Sequence, residues 1–210
     1  MTIAFMEGFH ILELHLVPGI LIPICTSKMV RFQSNHIIVV AKVKINLELD
    51  FSAENKNPIQ HYKGKLLSIL PTWGKFWQVE LDITINSFPG SWANVIHFTN
   101  SGSDNTYLGD RNPAIFLNKN KYFHICSGIG TNRNWCMNYL GLKAGTNYRI
   151  LIQQYPYYHY AYYRIYVNGV YFKGTANGSP KDYSHVYVYT GYNGWETFDG
   201  KVENFKFRHW

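Results

Sequence analysis

Two carboxylates stand two positions apart in the segment 78–85, QVELDITI. Glu80 and Asp82 share one side of that segment, because alternate residues of an extended chain point the same way. Paired carboxylates are the equipment of glycoside hydrolysis, where one acts as nucleophile and the other as general acid and base. A second stretch, SGSDNTYLGD over residues 101–110, supplies Asp104, Asn105 and Asp110 with many backbone carbonyls. Calcium takes several oxygens from loops of this kind, so these residues form a candidate calcium site. The stretch lacks the closing Glu of an EF-hand, and it reads equally as a long polar loop fixed by an Asp110–Arg111 ion pair.

Other chemistry is sparse. His97 and His124 sit inside apolar alternations, where a histidine held by hydrogen bonds is the default. No G-x-S-x-G and no catalytic cysteine signature occurs. The cysteines are Cys25, Cys126 and Cys136. Cys126 and Cys136 lie either side of a Gly/Asn-rich stretch, which suits two neighbouring strands joined by a turn. They are read as a disulfide pair, with two free thiols as the alternative. No Cys/His spacing in the sequence indicates zinc.

Aromatic residues are the most unusual feature: Tyr 17, Phe 13 and Trp 6. The run 155–163, YPYYHYAYY, precedes an Asn-Gly pair, and its alternate rings must point outward. Tyr157, Tyr158 and Tyr160 are the candidate ligand contacts there. Tyr187, Tyr189, Tyr192 and Trp195 form a second candidate group. Tyrosine is large and stiff and carries a hydrogen-bonding tip, so it suits recognition surfaces. It also has high strand propensity, so the same rings could simply cover an exposed sheet.

The elements that must position these groups are strands. Val79, Leu81, Ile83 and Ile85 alternate with polar neighbours, the mark of a half-buried strand. Further strands are expected at 94–99, 114–117, 122–126, 148–154, 186–190 and 202–207. Asn168-Gly169 between two apolar alternations in 162–172 predicts a hairpin with a type I′ turn. No long helical period and no internal repeat occurs. Many short strands separated by Gly, Asn, Asp and Pro clusters indicate an all-β sandwich or barrel.

Residues 1–30 read as an apolar leader, an imperfect signal peptide, because Glu13, His10 and His15 interrupt it and no basic n-region precedes it. Met29 is an alternative start. The leader is too interrupted for a transmembrane span. Residues 31–62 read as a strand at 36–49 and a polar loop of uncertain role. The formal charge of +7 fits nucleic acid, acidic glycans or an anionic surface. Lys and Arg are scattered and no RNA-module signature appears, which argues against nucleic acid.

From about residue 63 the segments resemble, in order, the laminin-G-like domains of the concanavalin A-like lectin/glucanase superfamily. LLSILPTWGKFWQVELDITI is similar to their opening strand pair. SWANVIHFTN, GDRNPAIFL and YFHICSGIG are similar to the middle strands, YRIYVNGVYF to the hairpin and GKVENFKF to the closing strand. The resemblance covers residues 63–210 and implies an antiparallel β-sandwich of jelly-roll type. It implies ligands on a concave face or at rim loops, calcium at the rim in some members, and extracellular recognition of carbohydrate or protein.

Retaining hydrolases of this fold carry E-x-D-x-(x)-E on one strand. Here Thr84 and Ile85 follow Glu80 and Asp82, so the second Glu is missing and no enzyme is expected. The expected function is a secreted, lectin-like module that binds a glycan or an extracellular protein through its aromatic patches. The alternative is a self-associating matrix or filament protein; a polysaccharide-active enzyme ranks last. Asn177-Gly178-Ser179 is a glycosylation sequon, although Pro180 follows it.

Overall fold

A computed structural model describes Thr2–Glu7, His10–His15, Ile59, His61 and residues 63–209. The chain forms two compact units, Met1–Leu47 and Glu48–Trp210. In the first, β1 (Thr2–Glu7) pairs antiparallel with β2 (His10–His15). The strand expected at 36–49 and Cys25 lie outside the described residues, as does most of the leader.

The second unit holds β3 (Lys65–Trp73), β4 (Trp77–Ile85), β5 (Trp92–Thr99), β6 (Ala114–Asn118), β7 (Tyr122–Ile129) and β8 (Asn132–Leu140). These are followed by β9 (Asn147–Tyr157), β10 (Tyr160–Val167), β11 (Val170–Asn177), β12 (Tyr183–Thr190), β13 (Glu196–Thr197) and β14 (Gly200–His209). One sheet has five strands in the order β11-β10-β9-β4-β14. The other has seven, in the order β3-β12-β5-β6-β7-β8, with β13 pairing β5 in parallel. All other pairings in both sheets are antiparallel. This is an antiparallel two-sheet β-sandwich, the all-β architecture that the resemblance implies.

Local sequence explains the elements. In β4, Trp77, Val79, Leu81, Ile83 and Ile85 are fully buried, and the residues between them are half-buried. Period-2 alternation therefore gives one core face and one outer face. Asn168 and Gly169 take φ of 51° and 78°, the left-handed pair that a two-residue hairpin turn requires. The core between the sheets is aromatic. Trp73 lies 5.7 Å from Phe207, Phe98 6.1 Å from Phe205, Phe123 5.6 Å from Tyr148 and Trp135 5.3 Å from Tyr163, each pair crossing between the sheets. Offset and edge-to-face rings at these distances add to the apolar burial that holds the layers together.

β8 is the second of the two neighbouring strands that the Cys126 and Cys136 reading asked for, although no bounds were expected for it. Its sequence, NRNWCMNYL, is rich in Asn and ends on an exposed leucine, yet Trp135, Met137 and Tyr139 pack against the core. Its pairing with β7 sets Cys126 opposite Cys136 and His124 opposite Asn138.

Candidate functional site

The two candidate tyrosine groups lie on opposite outer faces of the sandwich. Tyr187 and Tyr189 project from β12 onto the outer face of the seven-stranded sheet, with ring centroids 6.4 Å apart. Register places Tyr189 beside His97, Phe116 beside Asn94, and His124 beside Phe116. The middle of this face is already filled by the protein. Tyr192 stacks on His97 at 4.4 Å, Trp195 stands edge-on to Phe116 at 5.1 Å, and the Arg111 guanidinium lies 4.7 Å from the same Phe116 ring. His97, Asn94 and Thr99 have no exposure and Phe116 has almost none. Tyr192 and Trp195 thus close over β5 and β6, and all four residues of the group, Tyr187 and Tyr189 included, are half-buried.

The same filling involves the candidate calcium residues. Asp110 is fully buried and accepts at Oδ2 from the Thr106 and Tyr107 amides, at 2.7 and 2.5 Å. Its Oδ1 accepts from the Ser101 and Thr99 hydroxyls. Asp104 takes both guanidinium branches of Arg111, at 3.0 and 2.8 Å. The expected Asp110–Arg111 pair is corrected: Arg111 pairs with Asp104, because its side chain turns across the sheet face toward Asn134 and Phe116. Asn105 keeps one buried oxygen without a partner. A cation here would meet amides and a guanidinium where it needs six or more oxygens, so the arrangement does not fit calcium.

Electrostatics on this face follow burial. His97 is pushed down to about 4 by its burial, which outweighs the attraction of Asp104 at 3.8 Å and the hydrogen bond to the Asp110 carbonyl at 2.6 Å. Burial first, and Asp104 second, raise the Tyr192 phenol above its ordinary value.

The outer face of the five-stranded sheet is different. Register aligns Tyr157 with Tyr160, Tyr155 with Tyr162, and Tyr166 with Tyr171. The rings form a continuous row: Tyr157–Tyr160 at 5.3 Å, Tyr157–Tyr162 at 5.9 Å, Tyr155–Tyr162 at 6.3 Å and Tyr166–Tyr171 at 5.7 Å. Arg164 sits within the row. Its guanidinium carbon lies 4.8 Å from the Tyr155 ring and 5.1 Å from the Tyr162 ring, and Nη1 donates to the Tyr166 hydroxyl at 3.3 Å. That hydrogen bond raises the Arg164 pKa further. No carboxylate among the described residues forms an ion pair with it. Tyr158 stands 87% exposed at the β9–β10 turn, edge-on to Tyr157.

Gly174 of β11 lies opposite Arg164. A Cβ there would come within 3.1 Å of the Tyr171 hydroxyl and 3.2 Å of Tyr162 Cε1, so the missing side chain lets the rings close over the strand. Arg164, Tyr166 and Tyr171 were missed from the sequence. The signal was the continuation of the Tyr160–Tyr162 alternation through Arg164 to Tyr166.

The other half of this face is polar. Glu80, Asp82, Arg149, Asn204 and Lys206 line a shallow pocket of about 240 Å³. Arg149 Nε donates to Glu80 at 2.6 Å and Asn204 Nδ2 to Asp82 at 2.6 Å. The carboxylate pair noted at the outset is therefore engaged with neighbouring donors on an open sheet face.

Cys126 and Cys136 are joined across β7 and β8, with Cα atoms 4.1 Å apart. The sequon residue Asn177 lies inside the sandwich. Its side chain is buried, with Nδ2 donating to Gln154 at 2.7 Å and Oδ1 accepting from the Gly130 and Ser179 amides. A glycan on that nitrogen would have to displace the Gln154 bond and open the packing around it.

No protein-family model matches the chain, and no curated protein matches it. Similar solved structures include a CBM40 of Ruminococcus gnavus IT-sialidase bound to alpha2,3 sialyllactose, with 9% identity, a TM-score of 0.45, and coverage of 72% of this chain and 91% of that one. Human galectin-16 R55N shares 13% identity at a TM-score of 0.42, over 71% of this chain and 100% of that one. Trypanosoma rangeli sialidase in complex with sialic acid shares 15% identity at 0.45, over 63% of this chain. The match spans only 20% of that sialidase's length. The sandwich rests on strand order and register, not on these likenesses.

Proposed function

We propose that this protein is a non-catalytic recognition module that binds saccharide on the tyrosine row of its five-stranded sheet. The observation that carries the reading is Arg164, held between the Tyr155 and Tyr162 rings on an open face with no carboxylate partner among the described residues. Sugar rings stack on phenol faces through their C–H bonds, while a guanidinium and phenol hydroxyls bond to sugar oxygens. The adjacent pocket of Glu80, Asp82, Arg149, Asn204 and Lys206 adds donors and acceptors along the same face. A disulfide in a chain of this size fits an oxidising compartment, so the module is read as extracellular.

A glycan array with and without calcium tests the proposal. Binding that survives chelation and is lost in Tyr162→Ala and Arg164→Ala supports it. Absence of binding to any glycan, or binding untouched by both substitutions, overturns it. Turnover of a polysaccharide that Glu80→Gln abolishes would replace it with an enzyme.

Self-association is the second reading, favoured by the edge strand β11. Val170 and Tyr171 are 70% and 51% exposed there, beside the tyrosine row. Exposed edges pair readily with other strands. Concentration-dependent light scattering that Val170→Lys suppresses distinguishes this reading from a monomeric lectin.

A further inference from the structure

We propose that reduction of the Cys126–Cys136 disulfide creates a zinc-class metal site of two thiolates and the His124 imidazole. One ligand atom from each of the three residues lies within 4.8 Å of the others. The strand pairing makes this set: Cys126 faces Cys136 directly, and His124 lies two residues along β7 on the same face. A sequence motif search misses it, because the ligands come from two strands and the histidine precedes its cysteine by only two positions.

Once the disulfide is reduced, its surroundings suit a metal. His124 Nδ1 donates to Asn138 Oδ1 at 2.6 Å, which leaves the lone pair on Nε2. Such a second partner fixes tautomer and ring orientation, the device that supports metal-bound histidines. Trp92 and Phe116 pack against the imidazole at 5.2 and 6.3 Å and restrict its rotation. Arg111 Nη1 lies 3.7 Å from Cys126 Sγ and favours a thiolate there. Its own charge is balanced by Asp104, so a zinc ion with two thiolates adds no net charge to the site. Cys136 and His124 are both half-exposed, which gives an ion a way in.

The chemistry balances with a thiol reductant. The disulfide accepts two electrons and two protons from two reductant thiols, which are themselves oxidised to a disulfide. Zinc then displaces both protons and binds two sulfurs at about 2.3 Å and one nitrogen at about 2.0 Å, with solvent at the fourth position. The sulfurs must separate to about 3.8 Å for tetrahedral binding, a movement within reach of side-chain rotation. The oxidised and metal-bound forms exclude each other, because the same sulfurs serve both.

Cobalt(II) is the probe, added anaerobically to the full chain with and without a phosphine reductant. About one cobalt per reduced chain, with a thiolate charge-transfer band and tetrahedral visible bands, is expected. The oxidised protein should show neither. His124→Ala should weaken binding at least tenfold, Cys136→Ser should abolish the charge-transfer pattern of two sulfurs, and zinc should slow alkylation of both thiols. If the reduced chain loses its β-sheet circular dichroism, recovery on adding zinc supports the site and failure to recover overturns it. A reduced wild type without the band, or a His124→Ala titration equal to wild type, also overturns it.

Discussion

The Tyr192 phenol lies on the His97 imidazole with ring centroids 4.4 Å apart and planes inclined by only 17°. Its hydroxyl donates to the Gly102 carbonyl at 2.5 Å. One side chain thus ties the β12–β13 connection to the sheet and to the β5–β6 loop. Tyr192→Phe keeps the stack and loses the hydrogen bond, for about 1 kcal/mol of stability. Tyr192→Ala loses both and should cost about 3 kcal/mol. Urea unfolding of the two variants measures the difference, and saccharide binding on the opposite sheet should not change.

Acid should destabilise the sandwich through two of its histidines. His97 and His61 are both pushed down to about 4, chiefly by burial, against an ordinary 6.5. Asp104, the Asp110 carbonyl and Arg111 face His97, and Lys65 and Thr190 face His61. Between these values the unfolded chain binds protons that the folded chain refuses. The stability they contribute is therefore complete above the unfolded value and falls as the pH drops toward the folded one. The slope approaches about 1.4 kcal/mol per pH unit for each histidine. Denaturation midpoints of wild type and His97→Gln at neutral and mildly acid pH should show the shallower dependence in the variant.

Arg164 should matter for binding more than for folding. Its contacts are cation–π pairs on an outer face, worth about 0.5–1 kcal/mol each to the fold. Arg164→Ala should lower saccharide affinity at least tenfold, which corresponds to about 1.4 kcal/mol. Arg164→Lys should recover only part, since an ammonium cannot present the same planar fork to two rings. Isothermal titration of the three proteins with an array-positive glycan checks the order.

Gly174 gives an independent handle on the same surface. A methyl group there meets the Tyr163 carbonyl at 2.5 Å and crowds the Tyr171 hydroxyl. Gly174→Ala should cost about 1–3 kcal/mol through overpacking. It should also weaken binding, because the rings of Tyr162 and Tyr171 must move apart. Gly178→Ala, where nothing lies within 4 Å, is the control expected to do neither.

Much of the sandwich was legible because burial on one face writes itself as alternation. Residues 78–85 and the Asn168-Gly169 hairpin needed no further information. β8 was legible only in part: Trp135, Met137 and Tyr139 alternate with Cys136 and Asn138, but the preceding Asn132-Arg133-Asn134 reads as loop. The site was only half legible. Tyr157, Tyr158 and Tyr160 announced themselves as a run, and the structure places them on the open face. Tyr192 and Trp195 looked the same by composition, yet they close over the buried His97 and Phe116 of β5 and β6. The Asp110 carboxylate looked like a calcium ligand for a similar reason: sequence shows an acid in a polar loop but not the amides that turn toward it.

The loop from β5 to β6 and the segment after β12 give the larger sheet a ligand of its own. Such a tethered occupant competes with free molecules at an effective concentration in the millimolar range for short connections. A soluble sugar of ordinary millimolar affinity gains nothing by entering where Tyr192 and Arg111 already lie. Over β5 and β6 this face is selective by prior occupancy, and a partner seated there must evict part of the protein itself, whereas Tyr187 and Tyr189 on β12 stay within reach.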